Sequence, residues 1–508
     1  MATGLFIVGL AIRAPFRSQY AYHWDSAQFA LAMGEYDLRI GQPHAPGFYL
    51  YIVLGRLVNQ LVGEPHAALV WLSVIAGAWL AAIGYLLATS MFGRRCGAGT
   101  GLILLTSPLC WFQSEIALTT IVDSALVVSF AFVCWLAIRK GVTWTRTIMV
   151  AALLAAVAGV RQQSAPVLIP LFVYVFWGWA RPRGWKLLGA TALVIGLCLG
   201  WFLPTVKSAG GLAPYLELLR LKSRFDAAKT VWGAGGMSAV MRNASLMAIV
   251  CSVGLLVAGI ASAMEFVHWV FFEGPASKSA VYRRYKTQLC VLALWIAPPM
   301  VFWTLMYVTM PGYVLNFFPA FAILAGLGLV GFSERVAASP EGKRSWALSC
   351  LLAIVVATNV VVFAAPVNWT KYLLMDLPLT GREIREHDAN LATCFRTIRQ
   401  NWPSRNVVVC HCRESFYWGF RQFEYHLPEY QNVLLTSDPS LPGVRGTQKW
   451  IGYGHRTTFQ NDIRIPEGHQ ILLVVPPDES VDVFKSHFDT QKAVLITDSA
   501  LRMYLLQP

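Results

Sequence analysis

The side chains best suited to proton and phosphate chemistry fall early, between Tyr22 and Tyr49. His23, Asp25, Glu35, Asp37 and His44 are crowded there in a chain only 13% charged. Asp25, flanked by His23 and Trp24, is a carboxylate that could take a proton from an attacking hydroxyl. The same residue also suits a helix N-cap, since Asp25-Ser26 opens a helical run over Ala27–Tyr36. Capping and proton transfer are compatible. Glu35 and Asp37 read as solvent-facing positions. Pro43-His44-Ala45-Pro46-Gly47-Phe48-Tyr49 follows, in which two prolines and a glycine fix a non-helical entry to the next segment. His44 is placed there either to bond a phosphate oxygen or simply to fill an interfacial turn.

Further candidates recur along the chain. Glu115, in Trp111-Phe112-Gln113-Ser114-Glu115, falls in a second polar connection. It could support Asp25, bind an acceptor, or share a divalent cation with Asp25, although no tight ligand cluster argues for a metal. Asp123 lies about two turns further on, inside an apolar stretch, where a carboxylate is functional by default or pairs with an arginine. Arg161 ends another apolar stretch. Its guanidinium matches phosphate geometry, while the plainer reading is a snorkelling arginine. Arg220, Lys222 and Arg224 sit in Leu212–Trp232, an amphipathic segment suited to donor phosphate or to lipid headgroups in general. Tyr313 and Asn316 are the polar handles of a short aromatic connection, Thr309–Ala320.

The elements that must position these residues are membrane helices. The chain has 508 residues, 56% of them hydrophobic, and a mean hydropathy of +0.51, too apolar for an ordinary soluble protein. On a template of about 20 apolar residues per span, about eleven spans emerge. They centre on Met1–Ala14, Ala67–Phe92, Gly97–Phe112, Thr119–Ile138, Thr147–Val160, Ala165–Ala180, Leu187–Val206, Ala244–Phe272, Leu289–Val308, Phe317–Phe332 and Trp346–Phe363. The net charge of +14 does not mark a nucleic-acid binder. The basic residues Arg94-Arg95, Arg139-Lys140, Arg181/Arg183/Lys186, Lys278/Arg283/Arg284/Lys286 and Lys343-Arg344 occupy every second connection, which the positive-inside rule assigns to the cytoplasm. Every candidate above except Asp123 then faces the opposite side. The first loop (16–66) is external, the N-terminus cytoplasmic and the C-terminal region extracytoplasmic.

From about Pro366 the pattern becomes that of a soluble domain. A helix over Arg382–Trp402, helices near Arg413–Phe423 and Ser480–His487, and strands over Asn406–Cys410, Asn432–Thr436, Gln470–Val475, Ala493–Thr497 and Arg502–Leu506 suggest a small α/β layer. The expected domains are thus 1–366 in the membrane and 367–508 outside it. Seven of the ten cysteines lie in or beside apolar spans, and Cys410-His411-Cys412 lacks the second pair that a metal motif needs.

With these residues in view, the chain resembles the GT-C superfamily of integral membrane glycosyltransferases. It is more narrowly similar to bacterial relatives of protein O-mannosyltransferases and aminoarabinose transferases. The matching segments are His23-Trp24-Asp25-Ser26, Pro43-His44-Ala45-Pro46-Gly47-Phe48, Trp111-x-x-x-Glu115, Gly159-Val160-Arg161-Gln162, and Pro311-Gly312-Tyr313-Val314-Leu315 with Phe318-Pro319-Ala320. The resemblance covers roughly residues 1–330 and barely informs the C-terminal domain. It implies inverting transfer of a sugar from a polyprenyl-phosphate donor to a lipid, glycan or protein acceptor at the external face of a bacterial inner membrane. Asp25 would activate the acceptor, Glu115 would be the second-loop acid, and Arg161 would contact the phosphate. His44, Arg220, Lys222 and Arg224 join Arg161 as expected phosphate contacts. His23, Trp24, Asp123, Tyr313 and Asn316 are the expected pocket residues. The chain departs from the pattern at Gly312, where many relatives carry a basic residue, and in its short first span. The competing reading is a transporter or flippase of lipid-linked glycans, for which Asp123 is the best single residue.

Overall fold

The computed structural model describes the whole chain apart from residues 178–183, 228, 234, 338–340, 367–376, 412–416, 435–467, 477–478, 486–487, 499–500 and 507–508. The membrane region begins with α1 (Ala2–Arg13), α2 (Trp24–Gly34), α3 (Tyr49–Val62), α4 (Pro65–Phe92), α5 (Arg94–Thr106), α6 (Pro108–Ser114) and α7 (Thr119–Lys140). It continues through α8 (Trp144–Val160), α9 (Ser164–Trp177), α10 (Gly184–Ser208), α11 (Leu212–Ala227), α12 (Gly236–Leu255) and α13 (Val257–Phe272). The last membrane helices are α14 (Pro275–Leu305), α15 (Phe318–Val336) and α16 (Glu341–Ala364).

Among the described residues, helices fall within each expected stretch, and seven helices are long and apolar enough to cross a membrane; the end of the stretch Ala165–Ala180 lies outside the described residues. Two stretches expected to be continuous are broken. Ser107-Pro108 separates α5 from α6, because proline cannot continue the helical hydrogen-bond ladder. Leu256, at φ +44°, separates α12 from α13. The bundle has an inside and a rim. The apolar window of α7 is 78% buried, whereas that of α10 is only 6% buried. Leu188 and Leu203 on α10 are 73% and 59% exposed. Such a surface is stable against lipid and a liability in water. The chain is therefore an integral membrane protein. Close packing inside relies on small residues: a Cβ on Gly9 of α1 would come within 2.9 Å of Ala78 Cβ on α4.

The C-terminal domain begins with α17 (Gly381–Asn401), started by a capping box in which Thr380 and Glu383 bond each other's backbone N–H groups. Strands β1 (Val407–His411), β2 (Gln431–Leu434), β3 (Gln470–Val475), β4 (Ala493–Asp498) and β5 (Arg502–Leu506) form one sheet in the order β2-β1-β3-β5-β4. β1 runs parallel to β2 and β3, while β5 is antiparallel to β3 and β4. The five expected strands are present within two residues at each end. The helix expected near Arg413–Phe423 is instead α18 (Phe420–His426), and residues 412–416 lie outside the described set. Near Ser480–His487 the described residues form a 3-10 turn over Val481–Phe484, and residues 486–487 lie outside the described set. β1 and β3 are almost wholly buried, with α17 and α18 covering one face, where Leu391, Phe395 and Phe423 cluster with Val409 of β1.

Candidate active site

The site is assembled around the turn into α2. His23, not Asp25, is the N-cap: its backbone is extended and its Nδ1 accepts the Asp25 N–H at 3.1 Å. This corrects the capping reading of Asp25, which sits in the first turn with its carboxylate left over for other partners. A negative charge there is favoured by the helix dipole. His44 approaches from the other arm of the loop, its Nδ1 3.5 Å from Asp25 Oδ1. That ring nitrogen also lies 2.6 Å from Gln28 Oε1 and donates to it. Burial pulls the His44 pKa down to about 4, against the opposing pull of Asp25. His44 is thus a neutral side chain at neutral pH. Burial pushes the Asp25 carboxyl up, but His44, His23, Lys222 and Arg161 together outweigh it and hold the pKa below the usual 3.8.

The arm carrying His44 is itself fixed from two sides. The Tyr36 hydroxyl donates to the Gly47 carbonyl at 2.9 Å, and the Tyr215 hydroxyl of α11 donates to the Pro46 carbonyl at 3.3 Å. Leu38 and Ala45 of the loop pack with Tyr215 and Leu218 of α11. The amphipathic helix therefore lies on the first loop, apolar side inward, as its residue pattern requires.

Asp25 opens into a cleft. Its walls come from the first loop (Phe29, His44, Pro46, Phe48), the start of α7 (Leu118, Thr119, Thr120), the α8–α9 turn (Arg161, Gln163), α11 (Lys222), and the connection before α15 (Tyr307, Met310, Tyr313). Arg161 is buried, with its guanidinium carbon 4.6 Å above the Tyr313 ring and 5.5 Å from that of Trp303. Tyr313 and Trp303 stack with centroids 4.8 Å apart and form a shelf under the cation. The turn bearing Arg161 is tied to the bundle, because Ser164 donates its N–H to the Arg161 carbonyl at 3.0 Å and its hydroxyl to Asp123 Oδ2 at 2.7 Å. Lys222 is steered by Asp226, 3.5 Å away, which also accepts the Tyr307 hydroxyl at 3.1 Å. An anionic carboxylate thus shares one cavity with two held cations. Chemically, this suits a proton acceptor opposite an anion-binding pair.

Of the expected site residues, the cleft brings together Asp25, His44, Arg161, Lys222 and Tyr313. His23 touches Asp25 without lining the cavity, and Asp123 stands behind the Arg161 turn. The others do not reach it. Glu115 is fully buried and feels the charges of Arg13 and Arg17. Trp24 is buried with Arg421 of α18 over its ring. Asn316 is buried, and its backbone carbonyl accepts the Trp295 Nε1–H at 2.8 Å. Arg220 pairs with Glu217 on the exposed side of α11, and Arg224 is exposed as well. Sequence reasoning missed Phe29, Thr119, Thr120, Gln163, Tyr307 and Met310. Tyr307 and Thr119 were the accessible ones, as polar residues at the ends of apolar stretches. Among the described residues no group of three or more His, Cys, Asp or Glu could hold a metal ion.

No protein-family model matches the chain, and no curated protein matches it by sequence. Solved structures do match by fold. The crystal structure of ArnT from Cupriavidus metallidurans bound to undecaprenyl phosphate aligns with 100% of this chain and 97% of its own, at a TM-score of 0.58 and 12% identity. The same protein in the apo state gives a TM-score of 0.58 at 13% identity, covering 100% and 98%. The apo oligosaccharyltransferase of Archaeoglobus fulgidus aligns with 94% of this chain and 70% of its own, at a TM-score of 0.49 and 10% identity. The fold is GT-C-like. At such identities the likeness is one of architecture, and the roles of individual residues rest on the geometry of this chain alone.

Proposed function

We propose that the protein transfers a sugar from a polyprenyl-phosphate donor to an acceptor hydroxyl, with inversion at the anomeric carbon, on the external face of a bacterial inner membrane. The observation that carries this reading is the ionised Asp25 carboxylate facing Arg161 and Lys222 across one cleft. ArnT, with the same architecture, was crystallised with undecaprenyl phosphate, which makes that lipid the natural donor carrier to test.

In the mechanism, Arg161 and Lys222 bind the donor phosphate, and Thr119, Thr120 and Gln163 offer hydroxyl and amide groups to the sugar. Asp25 accepts the proton of the acceptor hydroxyl as its oxygen attacks the anomeric carbon. The carbon–oxygen bond to phosphate breaks as the new glycosidic bond forms. The electron pair leaves on the phosphate, whose growing charge Arg161 and Lys222 offset. Neutral His44, held by Gln28, flanks the Asp25 carboxylate. Glu115, which stands outside the cleft, is given no step. The acceptor is left at the level of a lipid, glycan or protein hydroxyl, and no observation favours the transporter alternative.

The test is turnover by the full chain in nanodiscs supplied with undecaprenyl-phosphate hexoses labelled in the sugar, plus lipid and glycan acceptors. Label in a new product, with release of undecaprenyl phosphate, supports the reading. Undecaprenyl phosphate that fails to bind, together with no turnover of any donor, refutes it.

A further inference from the structure

The C-terminal domain packs against the membrane region. Its contacts converge on the short segment between α1 and α2, the approach to Asp25. Asp388 on α17 accepts the Gln19 N–H at 2.8 Å with Oδ2 and the Tyr20 N–H at 3.2 Å with Oδ1. His426, at the end of α18, accepts the next N–H, that of Ala21, at 3.0 Å with Nε2. Three successive backbone donors of the loop are thereby satisfied from the other domain, immediately before His23 caps α2.

Side chains reinforce the same seam. Tyr20 packs on Phe395 of α17 and on His426, with centroids 5.5 and 5.0 Å apart. Tyr22 lies against His387 and Tyr417 at 4.6 and 5.6 Å, and His23 lies 5.6 Å from Tyr417. The far arm of the loop is held too, since Arg421 Nη2 donates to the Ile40 carbonyl at 2.7 Å. These contacts have no counterpart in the chemistry of the cleft, because none of these residues lines it. A loop of this kind would otherwise present successive unpaired N–H groups and sample many conformations.

We infer that Asp388 and His426 are positioning residues, which clamp backbone residues 19–21 so that the Asp25 carboxylate is held in register with the cleft. The inference rests on the reading of Asp25 as proton acceptor. The C-terminal domain then acts as a brace for the reaction. A displacement of about 1 Å at a reacting group can cost up to about a hundredfold in rate. Loss of one clamp should therefore act on turnover and leave donor binding alone.

The experiment uses the full chain in nanodiscs, with Asp388→Ala and His426→Phe made separately and Asp25→Asn as reference. Backbone hydrogen exchange is followed over residues 16–24 and over β1 and β3. Affinity is measured with undecaprenyl phosphate, and kcat and KM with whichever undecaprenyl-phosphate hexose the wild type turns over. The expected result is faster exchange confined to 19–21, a kcat lowered by about tenfold to a hundredfold, and undecaprenyl phosphate affinity within about twofold of wild type. Unchanged exchange at 19–21 with wild-type kcat would overturn the inference. So would exchange raised throughout β1 and β3 in both variants, since the residues would then merely hold the domain together. Full transfer by Asp25→Asn would instead overturn the proton-acceptor reading, while localised exchange in the clamp variants would still report the brace.

Discussion

Replacing Arg161 by glutamine should separate phosphate binding from the rest of the site. The guanidinium is buried over the Tyr313–Trp303 shelf, at 4.6 and 5.5 Å from the two rings. Two contributions are lost with it on ligand binding. Charge-assisted hydrogen bonds to a phosphate oxygen are worth about 1.5–3 kcal/mol. The cation–π contact holds the guanidinium in place before the ligand arrives, so less ordering is left to be done on binding. A net loss of about 2 kcal/mol corresponds to a roughly thirtyfold weaker Kd for undecaprenyl phosphate. Arg161→Lys keeps the charge but not the planar fork or the stacking, and should fall between, at about fivefold. The assay is binding to nanodisc-embedded protein by intrinsic tryptophan fluorescence, with Trp303 as a nearby reporter. Undecaprenol, which lacks the phosphate, is the control and should bind wild type and variant alike. Wild-type affinity for undecaprenyl phosphate in Arg161→Gln would refute the assignment. Equal losses for undecaprenol would point to a collapsed shelf instead and would also count against it.

Lys222→Met should weaken undecaprenyl phosphate binding by about fivefold to tenfold, whereas Arg220→Gln and Arg224→Gln should stay within about twofold, because only the first lines the cleft. A common effect of all three would mean that α11 attracts phosphate by charge alone, and the salt dependence of each Kd would reveal it. His44 makes a pH prediction. Its pKa falls from 6.5 to about 4 on folding, so between those values the unfolded chain takes up a proton that the folded chain excludes. Folded stability contributed by neutral His44 is therefore lost as pH drops from 6.5 toward 4. By pH 4.5 the loss is about 2–3 kcal/mol. Thermal midpoints of wild type and His44→Gln, compared at pH 7 and pH 4.5, should show a smaller acid loss in the variant; parallel losses would refute it.

Much of the site was legible because sidedness is written in the charge of short loops. Asp25, His44, Arg161, Lys222 and Tyr313 come from four separate segments, yet the alternation of basic connections puts all five at one end of the bundle. Sidedness does not say which way a side chain turns. Glu115 and Asn316 are at the correct end and point into the protein, toward Arg13 and Arg17 in one case and buried near Trp295 in the other. On α11, successive residues rotate by about 100°, so Lys222 reaches the cleft while Arg220 and Arg224 face away. His23 took the capping role expected of Asp25, since a histidine Nδ1 can accept an N–H as a carboxylate does. The breaks at Ser107-Pro108 and Leu256 lay hidden in continuous apolar runs. The strands of the C-terminal domain followed from their β-branched runs, but their mixed parallel and antiparallel order did not. Nor did its grip on residues 19–21, which joins positions more than 360 residues apart in sequence.

In the proposed mechanism Asp25 takes the acceptor proton opposite a bound phosphate. Asp25→Asn removes the basic carboxylate with little change of shape, and with it a negative charge facing Arg161 and Lys222. The direct measurement pairs undecaprenyl phosphate affinity with single-turnover transfer from an undecaprenyl-phosphate hexose, both in the same nanodisc preparation. Affinity equal to or tighter than wild type, with transfer slowed by about a hundredfold or more, is the predicted result. Transfer at the wild-type rate would contradict the account.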